Sequence, residues 1–80
     1  KPTKLSYKDQ RELDQLPAEI ESLETAVATL QQTVADPGFY AKEQDMIQST
    51  LRDLANTEAL LESRIERWSE LEELQESLRP

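Results

Sequence analysis

Seven apolar residues in the first half of this chain recur without an error of spacing. Leu13, Leu16, Ile20, Leu23, Val27, Leu30 and Val34 follow one another at steps of three, four, three, four, three and four. This is the a/d seam of a left-handed coiled coil, held for three heptads. A stripe so narrow and regular has to be covered by another helix.

The chain supplies that helix itself. After Asp36-Pro37-Gly38 a second pattern begins, with Ile47, Leu51, Leu54, Glu58, Leu61, Ile65 and Trp68 at alternating steps of four and three. Beyond Trp68 come Leu71, Leu74 and Leu78, and the steps of three from Ile65 to Leu74 predict a stripe that drifts around the helix and a seam that loosens. An antiparallel fold-back about residues 38–42 pairs positions whose numbers sum to about 81. Val34 then faces Ile47, Ile20 faces Leu61, Leu16 faces Ile65 and Leu13 faces Trp68. Leu23 falls opposite Glu58, the single polar position, read either as a snorkelling side chain or as a register pin.

The predicted fold is therefore all-α: a two-helix antiparallel left-handed coiled-coil hairpin over residues 6–78. Its arms cover about 6–35 and 42–78, its turn about 36–41, and residues 1–5 form a linker. Ser6 is placed to cap the first arm, with Asp9 at its third position. Pro17 lacks an N–H and its ring crowds the Leu13 carbonyl, yet the heptad passes through it unshifted. A helix of unchanged direction, kinked or tightened to a 3-10 turn near residues 14–17, meets both conditions. Asp36 and Pro37 end the arm and leave Phe39 and Tyr40 at the tip.

Composition narrows the chemistry. Histidine and cysteine are absent, which removes the commonest general base and metal ligand and any disulfide or thiolate. The single glycine, Gly38, excludes a glycine-rich phosphate loop within the segment. The serines have no base beside them. Glu70, Glu72, Glu73 and Glu76 lack a fixed oxygen cage and read as a solvated helix face. No apolar stretch approaches the ~20 residues of a membrane span. A catalytic site, a cofactor and a metal are thus not expected here. The start at Lys1 rather than Met reads as that of a segment from a longer protein.

The net charge of −8 argues against a nucleic-acid partner, but the charge is uneven. Residues 1–11 hold Lys1, Lys4, Lys8 and Arg11 against Asp9 alone, whereas the other 69 residues hold five basic and sixteen acidic side chains. Lys4, Lys8 and Arg11, with Arg64 and Arg67 from the facing arm, are the candidate phosphate contacts. The competing reading pairs Lys8 and Arg11 with Glu70, Glu73 and Glu76, and Arg67 with carboxylates of its own helix. Trp68 is a base-stacking candidate, but its seam position favours core packing. Phe39 and Tyr40 read first as closing the tip, and second as a docking knob.

Longer strings carry a resemblance. Lys4-Leu5-Ser6-Tyr7-Lys8-Asp9-Gln10-Arg11-Glu12-Leu13, then Leu16-Pro17-Ala18-Glu19-Ile20-Glu21, Ala35-Asp36-Pro37 with Phe39-Tyr40, and Glu66-Arg67-Trp68 with Glu70-Leu71-Glu72 together resemble the C-terminal coiled-coil domain of the Uup-type ABC-F ATP-binding cassette ATPases. The resemblance runs from Lys4 to about Glu72. It implies a cytoplasmic parent with two ATP-binding cassettes upstream and ATP as the parent's cofactor. It further implies a DNA-binding role for this domain, a link to transposon excision and DNA-junction processing, and ribosome association for the family. Gly38 departs from the acidic residue common at that place, and Ile65 from an aromatic. No catalytic residue transfers. The expected function is a non-enzymatic DNA-binding hairpin, monomeric in isolation and without sequence preference. The alternative is a mechanical arm that docks the ATPase on a protein or a ribosome, and a homodimer through Leu60, Leu71, Leu74 and Leu78 is the third possibility.

Overall fold

In a computed structural model, which describes residues 4–79, helix α1 spans Tyr7–Ala35, a 3-10 turn covers Phe39–Ala41, and helix α2 spans Gln44–Ser77. The helices pack antiparallel in a rod 60 × 17 × 15 Å across. No described residue is in a strand.

The start of α1 follows from Ser6, whose Oγ accepts from the Asp9 N–H at 3.1 Å, satisfying a first-turn donor that has no helical partner. The helix then runs through Pro17 as unbroken α-helix, without a loop. The 3-10 tightening expected at 14–17 does not occur. One missing hydrogen bond to the Leu13 carbonyl is a local loss, and the seam on either side holds both half-helices against α2.

At the tip, the Asp36 carboxylate accepts from the Gly38 N–H at 2.9 Å and its carbonyl accepts from the Phe39 N–H at 2.9 Å. These bonds turn the chain without any positive φ, and Gly38 sits at φ −80°, open to any residue. Phe39 is buried, 1% exposed, and meets the exposed Tyr40 ring edge-on at 4.9 Å. One aromatic closes the hairpin and the other faces water.

All seven seam residues of α1 are buried or half-buried. The seam of α2 differs in phase from the expected one. Apart from Arg67 beside the stripe, its covered positions are Ile47, Thr50, Leu54, Thr57, Leu61, Arg64, Trp68, Leu71, Gln75 and Leu78, an unbroken alternation of three and four. Leu51 and Ile65, expected inside, are 38% and 40% exposed, and Glu58 is exposed. The fully buried Leu71 sets the phase. Counting back by sevens from Leu71 gives Arg64, Thr57 and Thr50, whereas Leu51, Glu58 and Ile65 belong with exposed Glu72. The stripe does not drift at its end either: Gln75 takes the inner position and Leu74 is 41% exposed.

The largest apolar cluster lies at the open end of the hairpin, where Leu5, Leu13, Leu16 and Leu71 are buried together and Ile20, Trp68 and Leu78 pack around them. Leu5, assigned from the sequence to a linker, thus has its side chain in the core; Lys1 to Thr3 of that linker lie outside the described residues. Trp68 is part of this packing, half-buried, in agreement with its seam position.

Candidate nucleic-acid interface

The five candidate cations occupy the open end but fall into two groups. Lys4, Lys8 and Arg11 are exposed, and none of them takes part in an ion pair among the described residues. Arg11 reaches only the Tyr7 hydroxyl, at 3.4 Å. The pairing of Lys8 and Arg11 with Glu70, Glu73 and Glu76 does not form. Glu70 goes to Arg67 at 3.4 Å and Glu76 to Arg79 at 3.4 Å.

Arg64 and Arg67 are half-buried and reach across to α1. The Arg64 Nε donates to Glu19 at 3.1 Å. The Arg67 guanidinium forks onto Glu12, Nε to one oxygen at 2.8 Å and Nη2 to the other at 3.0 Å. Its Nη2 also meets Asp9 at 3.5 Å. These hydrogen bonds hold the Glu12 carboxyl below its usual range and push the Arg67 guanidinium above its own. Both arginines therefore lie where the hairpin register brings them, but facing carboxylates.

The clamp changes the electrostatics of the neighbouring cations. Glu12 is four residues after Lys8, the spacing at which a helical lysine finds a carboxylate. Arg67 draws Glu12 and Asp9 toward α2 instead; Lys8 and Arg11 form no ion pair, although Lys8 remains near enough to Glu12 to help lower its pKa. Helix α1 begins at Tyr7, and its positive end adds to that potential. Asp9, Glu12 and Glu19 were not among the candidate residues. The signal was present in the sequence, since 12 with 67 and 19 with 64 fall within two of the fold-back sum of 81.

Among the described residues no group of three or more acidic side chains is placed to hold a metal ion. No helix is long and apolar enough to cross a membrane. Among the described residues the surface carries shallow, open hollows, one of about 560 Å³ beside Ile65 and Trp68.

Comparison with known proteins agrees with this architecture. The family model described as the ABC transporter C-terminal domain matches residues 4–73. The chain is 53% identical over 73 residues to the ATP-binding protein Uup-like of Haemophilus influenzae, covering 91% of this chain and 16% of that protein. It is 47% identical over 72 residues to the ATP-binding protein Uup of Escherichia coli, covering 90% of this chain and 11% of that protein. Thus it spans only a small part of the length of the relatives it matches. A solved structure of the C-terminal domain of the Uup protein, described as a DNA-binding coiled coil motif, superposes with a TM-score of 0.84 at 46% identity, covering 90% of this chain and 85% of that one. The family match covers residues 4–73, most of both helices, and the chain belongs to the ABC transporter C-terminal domain family, in the form that Uup proteins carry.

Proposed function

We propose that this chain is a non-enzymatic DNA-binding module of a cytoplasmic ABC-F ATPase, holding phosphates electrostatically at the open end of the hairpin. The observation that carries this reading is the likeness, at 46% identity over most of both chains, to a coiled coil described as DNA-binding. The geometry supports it: Lys4, Lys8 and Arg11 are uncovered beside the start of α1, while residues 12–80 carry sixteen acidic side chains against five basic ones. In this reading Lys4, Lys8 and Arg11 touch phosphates. Arg64 and Arg67 act mainly by holding α1 in register, and Arg67 also occupies Glu12, the carboxylate four residues from Lys8. Contacts to phosphates alone carry no base information, so binding is weak and sequence-independent. The segment works as a monomer and needs no cofactor; ATP belongs to the parent protein. Five cations on one uncovered face would favour DNA, and five neutralised by carboxylates would favour the docking arm with the ribosome as partner; three are free and two are paired, so the charge map meets neither condition and the likeness to a DNA-binding coiled coil carries the preference.

Titration of a short DNA duplex into the domain across a range of salt tests this. Each phosphate contact contributes a slope of about −0.9 in the logarithm of affinity against that of salt. Replacing Lys8 or Arg11 by Ala should weaken binding and flatten the slope by about one contact's worth. Salt-independent binding, or binding indifferent to loss of all three cations, overturns the proposal.

A further inference from the structure

The two flanks of the hairpin are chemically unlike. Glu19 and Pro17 lie two residues apart on α1, hence about 200° around the helix and on opposite sides of the seam. On the Glu19 side the interhelical carboxylates Asp9, Glu12 and Glu19 all have an arginine. On the Pro17 side none does. There two hollows share the side chain of Ile65. The first, about 560 Å³, is floored by Pro17, Ile20, Ile65 and Trp68 and bordered by Glu21 and Glu24. The second, about 410 Å³, adjoins it over Val27 and Leu61, with Glu58, Glu62 and Glu66 around it.

None of these five glutamates takes part in an ion pair among the described residues. No Lys or Arg lines either hollow. Ile65 is 40% exposed because the phase of α2 turns it out of the seam onto this flank. The result is an apolar trough with uncompensated negative charge along its borders.

We propose that this trough is a docking site for a basic amphipathic helix of a partner protein. Apolar side chains on one face of that helix would lie on Ile65 and Trp68, and its flanking Lys or Arg side chains would meet the glutamates. From Glu58 to Trp68 the trough follows α2 for about 15 Å, roughly three turns of a docked helix. Charge selects the occupant. A second copy of this chain docked trough to trough would set five unpaired carboxylates against five, and a DNA duplex would meet the same repulsion. The proposal stands apart from the phosphate reading, because Lys4, Lys8 and Arg11 line neither hollow.

Trp68 is the only tryptophan and lines the trough, so its fluorescence reports occupancy directly. The probe is a synthetic amphipathic helical peptide of leucine and lysine. Its addition should give a saturable shift of the Trp68 emission with one-to-one stoichiometry. Glu24→Lys with Glu62→Lys should weaken binding by about tenfold or more, and Ile65→Ser should weaken it to a similar degree. Lys8→Ala with Arg11→Ala should leave it unchanged. All the altered side chains are exposed; if one trough variant loses helix by circular dichroism, the other decides. The proposal is overturned if the spectrum does not change, if oligolysine without an apolar face binds equally well, or if affinity ignores the trough variants.

Discussion

Arg67 and Glu12, separated by 55 residues, are joined by two hydrogen bonds of 2.8 and 3.0 Å, one to each carboxylate oxygen. The fork geometry suits a guanidinium and defines both distance and angle between the helices. It sits at the edge of the main apolar cluster, next to Trp68 on α2 and Leu13 on α1. One arginine therefore ties the arms in register and decides which charges on α1 stay free.

Arg67→Lys and Arg67→Ala should both lower the melting temperature, since a lysine cannot form the bidentate pair. Arg67→Ala should also weaken DNA binding by more than one lost charge explains, because Glu12 then becomes available to Lys8. Adding Glu12→Gln to Arg67→Ala should restore part of the affinity. A thermal melt and a DNA titration on the four members of this cycle check the coupling.

The lowered Glu12 carboxyl ties stability to pH in a definite direction. A carboxyl depressed in the folded state stabilises it above the unfolded value, near 4.5, and that contribution disappears as pH falls through the folded value. Melts should therefore show a decline in stability on acidification below about pH 4.5. Glu12→Gln should start lower at neutral pH and decline less steeply in the same window. Equal slopes for the two proteins would remove Glu12 as a contributor.

The phase of α2 can be tested by filling the seam. Thr57 is half-buried on it and Glu58 is exposed beside it. Thr57→Leu should stabilise the hairpin by about 1 kcal/mol through added apolar burial. Glu58→Leu should change stability by no more than ~0.5 kcal/mol. Denaturant unfolding of the two variants gives the answer, and the reverse order would restore Glu58 to the seam.

Leu16, 1% exposed, is at the centre of the open-end cluster. Leu16→Ala should cost about 2–5 kcal/mol, a large share of the ~4–12 kcal/mol to be expected for a domain this size. Leu74→Ala, on a residue 41% exposed, should cost far less. Chemical denaturation midpoints at equal slope compare them.

Pro17 sits inside a continuous helix, where it removes a hydrogen bond. Pro17→Ala should raise stability, by up to about 3 kcal/mol if the neighbouring turn relaxes fully. A gain in the melting temperature is the expected result, and a loss would mean that the proline shapes a backbone the alanine cannot hold.

The heptads of residues 13–34, the Ser6 cap, the Asp36-Pro37 turn and the fold-back register were all legible in the sequence, because each rests on local spacing or on a single residue's chemistry. The local excess of positive charge in residues 1–11 was legible for the same reason. Tertiary structure decided three further things. It chose Thr50, Thr57 and Arg64 over Leu51, Glu58 and Ile65, because a helix packed on a partner takes the phase that buries the whole stripe, anchored here by Leu71, and not the phase with the most leucines. It carried α1 through Pro17 as continuous α-helix, since packing on both sides outweighs one absent hydrogen bond. And it divided the five cations, spending Arg64 and Arg67 on carboxylates of the facing helix while leaving Lys4, Lys8 and Arg11 exposed. Charge pairing between segments 45 and 55 residues apart is a property of the folded geometry. A residue count locates such partners, but only the packed helices determine which of them meet.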